Sequence, residues 1–238
     1  MAFIGAFFVI IFTFFRLDKY GIEFTEFIKF YIFSIIGGIL RSKFLFVITQ
    51  LPWFINNLSW KNLIILVLQS GYVYYGGLFG VLFTLWLTTR KDADKYNQIC
   101  GLVIPAIPLF HGLGRIGCMM AGCCYGIKLS NHIQVGFFEF DRVPVQIIEA
   151  VFEICLFVFF VVLEKCKSKL YTLENYLVFY AVFRFVIEFF RGDEVRGVWA
   201  GGFSTAQYIS ILIMLMTIKK KMIDRGIIES KGPAGGIK

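Results

Sequence analysis

The chain has 238 residues, 58% of them hydrophobic and 18% aromatic, with 29 Phe and a mean hydropathy of +0.74. Soluble globular domains carry far less apolar side chain, so the composition excludes a water-soluble protein and predicts an all-α polytopic membrane protein. The formal net charge of +8 comes largely from Lys and Arg placed beside apolar runs, where they meet anionic lipid headgroups, and it gives no reason to invoke nucleic acid.

A helix needs roughly 20 mainly apolar residues to cross a bilayer. Runs approaching that length lie near 2–15, 24–49, 71–89, 99–117, 145–163, 173–190 and 204–218, which makes seven expected spans. The first is short, yet no basic segment precedes it and no small-residue cleavage site follows it, so it is read as a span rather than a signal peptide. Arg16 and Lys19 follow the first span, Arg90, Lys91 and Lys95 the third, Lys165, Lys167 and Lys169 the fifth, and Lys219, Lys220, Lys221 and Arg225 the last. The intervening connections are poorer in basic residues. Because Lys and Arg near span ends stay on the cytoplasmic side, the N-terminus is expected outside and the C-terminus in the cytoplasm. One transmembrane domain is expected over 1–225, with a short disordered basic tail over 226–238.

Charged side chains at membrane depth cost several kcal/mol, so each is a hypothesis about function. In "HGLGRIGCMMAGCCYG" His111, Arg115 and Cys118 are spaced i, i+4 and i+7 and share a helical face, with Gly112, Gly114 and Gly117 removing bulk beside them. Pro105 and Pro108 precede them and predict an interrupted span. In "YAVFRFVIEFFRGDE" Arg184, Glu188 and Arg191 repeat the i, i+4, i+7 pattern, followed by Asp193 and Glu194. Two arginines around one glutamate leave one guanidinium to meet an anion such as a lipid phosphate. In "RVPVQIIEAVFE" Gln146 and Glu149 lie three apart and Glu149 and Glu153 four apart, just after Pro144. Glu149 is placed to orient an arginine from either other cluster. "GYVYYGGLFG" sets Tyr72, Tyr74 and Tyr75 before a Gly-Gly pair, which suits either a phenol in the same cavity or an interfacial aromatic belt.

There are six cysteines, and Cys100, Cys155 and Cys166 are isolated. Cys118, Cys123 and Cys124 allow three readings: small groups filling the cavity in place of polar residues, a disulfide or redox pair, or, least favoured, metal binding with His111 or His132. The spacing lacks the paired ligand loops of zinc sites, so no metal is expected.

Taken in order, "GYVYYGGLFG", "PAIPLFHGLGRIGCMMAGCCYG", "RVPVQIIEA", "YAVFRFVIEFFRGDE" and "FSTAQYIS" resemble the bacterial prolipoprotein diacylglyceryl transferases over about Gly37 to Gln207. The resemblance implies an enzyme of the bacterial plasma membrane that needs no cofactor. It would transfer the diacylglyceryl group of phosphatidylglycerol to the lipobox cysteine thiol of a preprolipoprotein, forming a thioether and releasing glycerol phosphate. It also implies that Arg115 is the family's signature arginine, that Gly122 and Gly126 are glycines of the same motif, and that Gln146 and Glu149 belong to its Pro-x-Gln-x-x-Glu segment. Arg184, Glu188 and Arg191 match its sixth helix.

On that reading Arg115, Arg184, Glu188, Arg191, Glu149 and Gln146 hold the lipid headgroup, and His111, Arg115, Tyr75 and Arg184 are catalytic. The chain departs from the family pattern at three residues, with Tyr75 where the typical enzymes have His, Cys118 where they have Asn and Cys123 where they have Glu, and the family's conserved segment in its first helix is not recognisable here. His111 or Tyr75 would then serve as the base, and the acceptor is a preprolipoprotein or another thiol. A membrane thiol oxidoreductase using the cysteines, and a lipid-binding or transport protein without transfer chemistry, are the competing functions.

Overall fold

The computed structural model describes residues 2–56, 59–62, 64, 74–135, 138–192, 198 and 202–224. Its helices are α1 (Ala2–Phe14), a short α2 (Leu17–Tyr20), α3 (Phe24–Asn56), α4 (Tyr74–Thr89), α5 (Ala93–Val103), α6 (Ala106–Met120), α7 (Val145–Lys165), α8 (Leu173–Ile187), which runs into a 3-10 turn at Glu188–Phe190, and α9 (Thr205–Asp224). Tyr72, Asp193, Glu194 and the tail from residue 226 lie outside the described residues. Phe24–Ile48, Ala93–Met120 and Val145–Lys165 are long and apolar enough to cross a membrane, while Ile4–Phe14 and Tyr75–Thr89 are apolar but shorter.

Local chemistry sets the boundaries. Asp92 caps α5 by accepting from Lys95 N at 3.0 Å, and Thr172 caps α8 by accepting from Asn175 N at 3.2 Å. The span expected over 99–117 is divided at Ile104–Pro105, since proline lacks an N–H and its ring clashes with the preceding turn. Pro108 falls in the first turn of α6, where the missing donor has no intrahelical partner to lose. The all-α expectation needs one correction. Lys128–Val135 (β1) and Phe138–Arg142 (β2) form an antiparallel hairpin, with Gln134 opposite Glu139. The alternation Phe138, Glu139, Phe140, Asp141 carries the period-two signal, but over a few residues between spans it is easily read as loop.

The distribution of polarity inverts that of a soluble protein. Phe7, Phe33, Leu40, Val158, Val182 and Leu215 are exposed, whereas Arg115, Glu149, Glu153, Arg184 and Glu188 are buried. That arrangement suits lipid outside and a polar interior.

Small residues let α3 and α4 pack backbone to backbone. A Cβ on Gly80 would sit 2.5 Å from Gly38 Cα, and one on Gly76 would sit 2.5 Å from Ser42 Cα, whereas one on Gly77 would meet nothing within 4 Å. Gly80→Ala should therefore force the helices apart and destabilise the protein by about 1–3 kcal/mol. Gly77→Ala should be neutral or slightly stabilising. Thermal unfolding of both variants in detergent checks the contrast, and equal melting points would contradict the packing.

Ion pairs join helix ends on one side of the site helices. Arg16 Nη2 and Lys19 Nζ each lie 2.6 Å from Glu164 near the end of α7, and the Tyr20 hydroxyl donates to the same carboxylate. Lys95 pairs with Glu26, and Lys220 with Glu174. Gln146, at the other end of α7, donates to the Cys123 carbonyl at 2.8 Å. With a rise of 1.5 Å per residue, about 27 Å of helix separates these two ends of α7.

Candidate active site

Three helices carry the polar residues into one buried cluster. Gly112 on α6 lets α7 approach, since a Cβ there would lie 3.2 Å from Glu153 Cβ. This crossing sets His111 and Arg115 of α6 against Glu149 and Glu153 of α7. Glu149 stands between two arginines from different helices: its Oε2 is 2.9 Å from Arg115 Nε, and its Oε1 accepts from Arg184 Nη1 on α8. Glu188 Oε2 is 2.7 Å from Arg184 Nη2 and 3.8 Å from Arg191 Nη1. Arg184 thus uses both nitrogens of its fork, one on each carboxylate. Arg115, Arg184, Arg191, Glu149, Glu153 and Glu188 are all at most 7% exposed, so these charges interact with little screening by water.

His111 is held on both nitrogens. Nδ1 lies 2.8 Å from Glu153 Oε1, and Nε2 accepts from Arg115 Nε at 3.2 Å. An acceptor at Nε2 requires the neutral tautomer with its proton on Nδ1, which then donates to Glu153. Glu153 is fully buried, and its Oε2 has no hydrogen-bond partner among the described residues. The sequence noted Glu153 only for its spacing from Glu149 and did not place it in the site. The signal was a second acid one turn further into an apolar span, where a solvated helix start can no longer account for it.

Tyr75 reaches the edge of this cluster. Its hydroxyl is 2.6 Å from Ser210 Oγ, and its ring packs edge-on against Tyr180, which also meets the His111 ring edge-on at 5.4 Å. Tyr75 therefore connects to His111 through the Tyr180 ring.

After α6 the chain reverses with Gly122 at φ +65° and Cys124 at φ +58°. A left-handed non-glycine residue costs roughly 1–2 kcal/mol, and this one turns a thiol back toward the helix it has just left. The Cys118, Cys123 and Cys124 sulfurs all lie within 4.8 Å of one another. Ile127 N donates to Phe190 O at 2.9 Å and Gly192 N to Tyr125 O at 3.0 Å, pinning this turn to the end of α8. A Cβ on Gly126 would run into Val143 O, so the close approach requires glycine there.

A cavity of about 480 Å³ opens beside Gln146, walled by Ile116, Met119, Ile147, Val151 and Ile154, and its accessible lining is wholly apolar. Its walls come from α6 and α7, the helices that carry Arg115 and Glu149, and from Phe140 of β2.

The family model described as prolipoprotein diacylglyceryl transferase matches residues 1–221. The chain belongs to that family. It is 34% identical over 193 residues to phosphatidylglycerol–prolipoprotein diacylglyceryl transferase 2 of Clostridium perfringens (strain 13 / Type A), covering 77% of this chain and 73% of that protein. Against the phosphatidylglycerol–prolipoprotein diacylglyceryl transferase of Clostridium tetani (strain Massachusetts / E88) it is 32% identical over 218 residues, covering 88% and 85%. The enzyme of that name from Dehalococcoides mccartyi (strain ATCC BAA-2266 / KCTC 15142 / 195) is 27% identical over 198 residues, covering 79% and 72%. Membership in the prolipoprotein diacylglyceryl transferase family makes the chain a membrane-enzyme relative and sets the class of chemistry against which the buried arginines are to be read.

Proposed function

We propose that the protein transfers the diacylglyceryl group of phosphatidylglycerol to the cysteine thiol of a prolipoprotein lipobox, forming a thioether and releasing glycerol phosphate. The observation that carries this reading is the Glu149 carboxylate shared by Arg115 and Arg184 from separate helices. It holds two guanidiniums side by side in a site closed to water. Arg115 meets His111 and Glu149 through Nε, and in this reading its Nη groups grip the phosphate. As the glyceryl C–O bond breaks, charge builds on that phosphate, and fixed arginines in low dielectric stabilise it without reorganising. Arg191, paired more loosely at 3.8 Å, closes the headgroup from the other side. The apolar cavity by Gln146 suits an acyl chain.

His111 takes the acceptor's proton in this reading. Glu153 fixes the tautomer that presents a basic Nε2, and Arg115 gives that nitrogen up when it turns to the phosphate. Glu153 is then a positioning residue. Glu153→Gln should lower kcat by about 10–100-fold with little change in KM for the lipid, and Glu153→Asp should recover part of the loss. An effect confined to KM would remove this role. Tyr75 is the second candidate base, engaged by Ser210 in the present geometry.

The chain is read as one multi-pass domain over 1–225 in the bacterial plasma membrane, with seven spans, the N-terminus outside and the C-terminus in the cytoplasm. The support is the length of α7. It runs from the cysteine turn to the basic ion pairs around Glu164, close to the roughly 30 Å thickness of a bilayer's hydrocarbon core. Complementation tests the function: a bacterium depleted of its own transferase should regain lipidated reporter lipoprotein when this chain is expressed. Accumulation of the unmodified precursor despite normal expression would contradict it.

A further inference from the structure

We propose that Cys118 and Cys123 are a redox modification site, which a small disulfide oxidises to an intramolecular disulfide that closes the acceptor's way to Arg115 and stops transfer. The pairing rests on the geometry of the end of α6, and the effect on transfer rests on the transferase reading.

The way α6 ends brings these two side chains together. Cys123 N donates to Cys118 O and Gly122 N to Met119 O, both at 3.1 Å, with Gly122 left-handed at φ +65°. That is a Schellman helix end, in which the residue after the left-handed glycine folds its side chain back onto the last turn. Here both partners are thiols. Cys123 Sγ lies 3.6 Å from Cys118 O, and the sulfurs of Cys118, Cys123 and Cys124 are all within 4.8 Å of one another, close enough for side-chain rotation to bring a pair to the bonding separation of about 2 Å. The adjacent Cys123 and Cys124 would join only by twisting the peptide bond between them. Cys118 is therefore the partner that Cys123 reaches most easily.

These thiols stand between the surface and the buried cluster. Cys123 is exposed, Cys118 and Cys124 are half-buried, and Arg115 and His111 behind them are 6% and 5% exposed. Arg115 lies close enough to interact electrostatically with both Cys118 and Cys124. A peptide thiol bound for His111 can arrive this way only if the turn over α6 moves. In the reduced protein the turn is held by hydrogen bonds, including the one from Gln146 to Cys123 O at 2.8 Å; a disulfide from Cys118 to Cys123 makes the closure covalent.

The exchange balances without any further reactant. The Cys123 thiolate attacks one sulfur of R–S–S–R, and the first RS⁻ leaves and takes up the proton that Cys123 lost. The Cys118 thiolate then attacks the Cys123 sulfur, and the second RS⁻ leaves and takes up the Cys118 proton. The protein loses two electrons and two protons, and the small disulfide becomes two thiols. Partial burial and the neighbouring Cys124 thiol push Cys123 above its ordinary pKa, so the exchange is slow at neutral pH and answers to sustained oxidation. The same oxidant caps the acceptor's cysteine, which must be a free thiol to form the thioether. The site thus shuts under the condition that removes its substrate.

The test treats full-length protein in phosphatidylglycerol nanodiscs with oxidised glutathione, removes the oxidant, and maps the cysteines by alkylation and mass spectrometry. A Cys118–Cys123 disulfide is expected, with transfer to a lipobox cysteine peptide reduced about tenfold or more and restored by reduction. Cys123→Ser should form no disulfide and keep its own rate through the treatment. Cys118→Ser should retain glutathione on Cys123, and Cys124→Ser should still form the disulfide and slow down. Absence of the Cys118–Cys123 disulfide, equal inactivation of Cys123→Ser, or undiminished transfer by protein that carries the disulfide throughout the assay would each overturn the proposal while leaving the transferase reading intact. No transfer even by the reduced parent would sink the transferase reading, and the cysteine map would still decide the modification site.

Discussion

Arg184→Ala is expected to lower diacylglyceryl transfer by about a thousandfold, near the upper end for loss of one preorganised donor to a developing anion. Arg184 bridges Glu149 and Glu188 from the middle of α8, using both arms of its guanidinium. Removing it takes away a guanidinium that the proposed mechanism sets beside the leaving phosphate, and it leaves two buried carboxylates without their shared partner. Stability should fall as well, by about 3–5 kcal/mol, because a buried ion pair that loses one partner leaves an uncompensated charge. Arg184→Lys separates the two effects. A lysine restores the charge but not the planar fork, so the variant should fold and bind phosphatidylglycerol yet remain well below the parent in turnover. If Arg184→Ala folds and transfers at near parental rate, the arginine cluster has no part in the chemistry.

Glu149→Gln should be the most destabilising conservative change in the site, again by about 3–5 kcal/mol. Glu149 is 1% exposed and touches both Arg115 and Arg184. Without it two guanidiniums are left close together with like charge. An anionic headgroup bound among the arginines would take over part of the missing role. The variant's melting point should therefore rise more on adding phosphatidylglycerol micelles than on adding zwitterionic lipid, and by a larger margin than for the parent, since a ligand that binds only the folded state stabilises it by mass action. Equal stabilisation by the two lipids would place the headgroup elsewhere.

Much of this site is legible in the chain because helical spacing is local. His111 and Arg115, and Arg184 and Glu188, fall on single faces by counting alone, whereas Arg191, expected on the same helical face, lies past the helix end in extended backbone opposite Gly126. Glu149 near the start of α7 could be assigned to an arginine cluster from sequence, but its contact with both depends on how three helices cross. The same is true of Glu153. Its bond to His111 exists because Gly112 lets α6 and α7 approach, and no spacing within one segment reveals a crossing angle. The convergence of the three thiols depends on Cys124 adopting a left-handed conformation, which a non-glycine residue seldom signals in advance. The hairpin at 128–142 was hidden by its shortness, and the break at Ile104–Pro105 was visible because proline acts locally.

The central claim is best tested in vitro. Purified protein, phosphatidylglycerol and a lipobox cysteine peptide are incubated together, and the peptide is weighed by mass spectrometry, with Arg115→Ala run alongside. The account predicts a peptide heavier by one diacylglyceryl group, released glycerol phosphate in equal amount, and neither product with Arg115→Ala. An unmodified peptide in the presence of folded, lipid-binding parent protein, or an adduct formed equally well by Arg115→Ala, would contradict it.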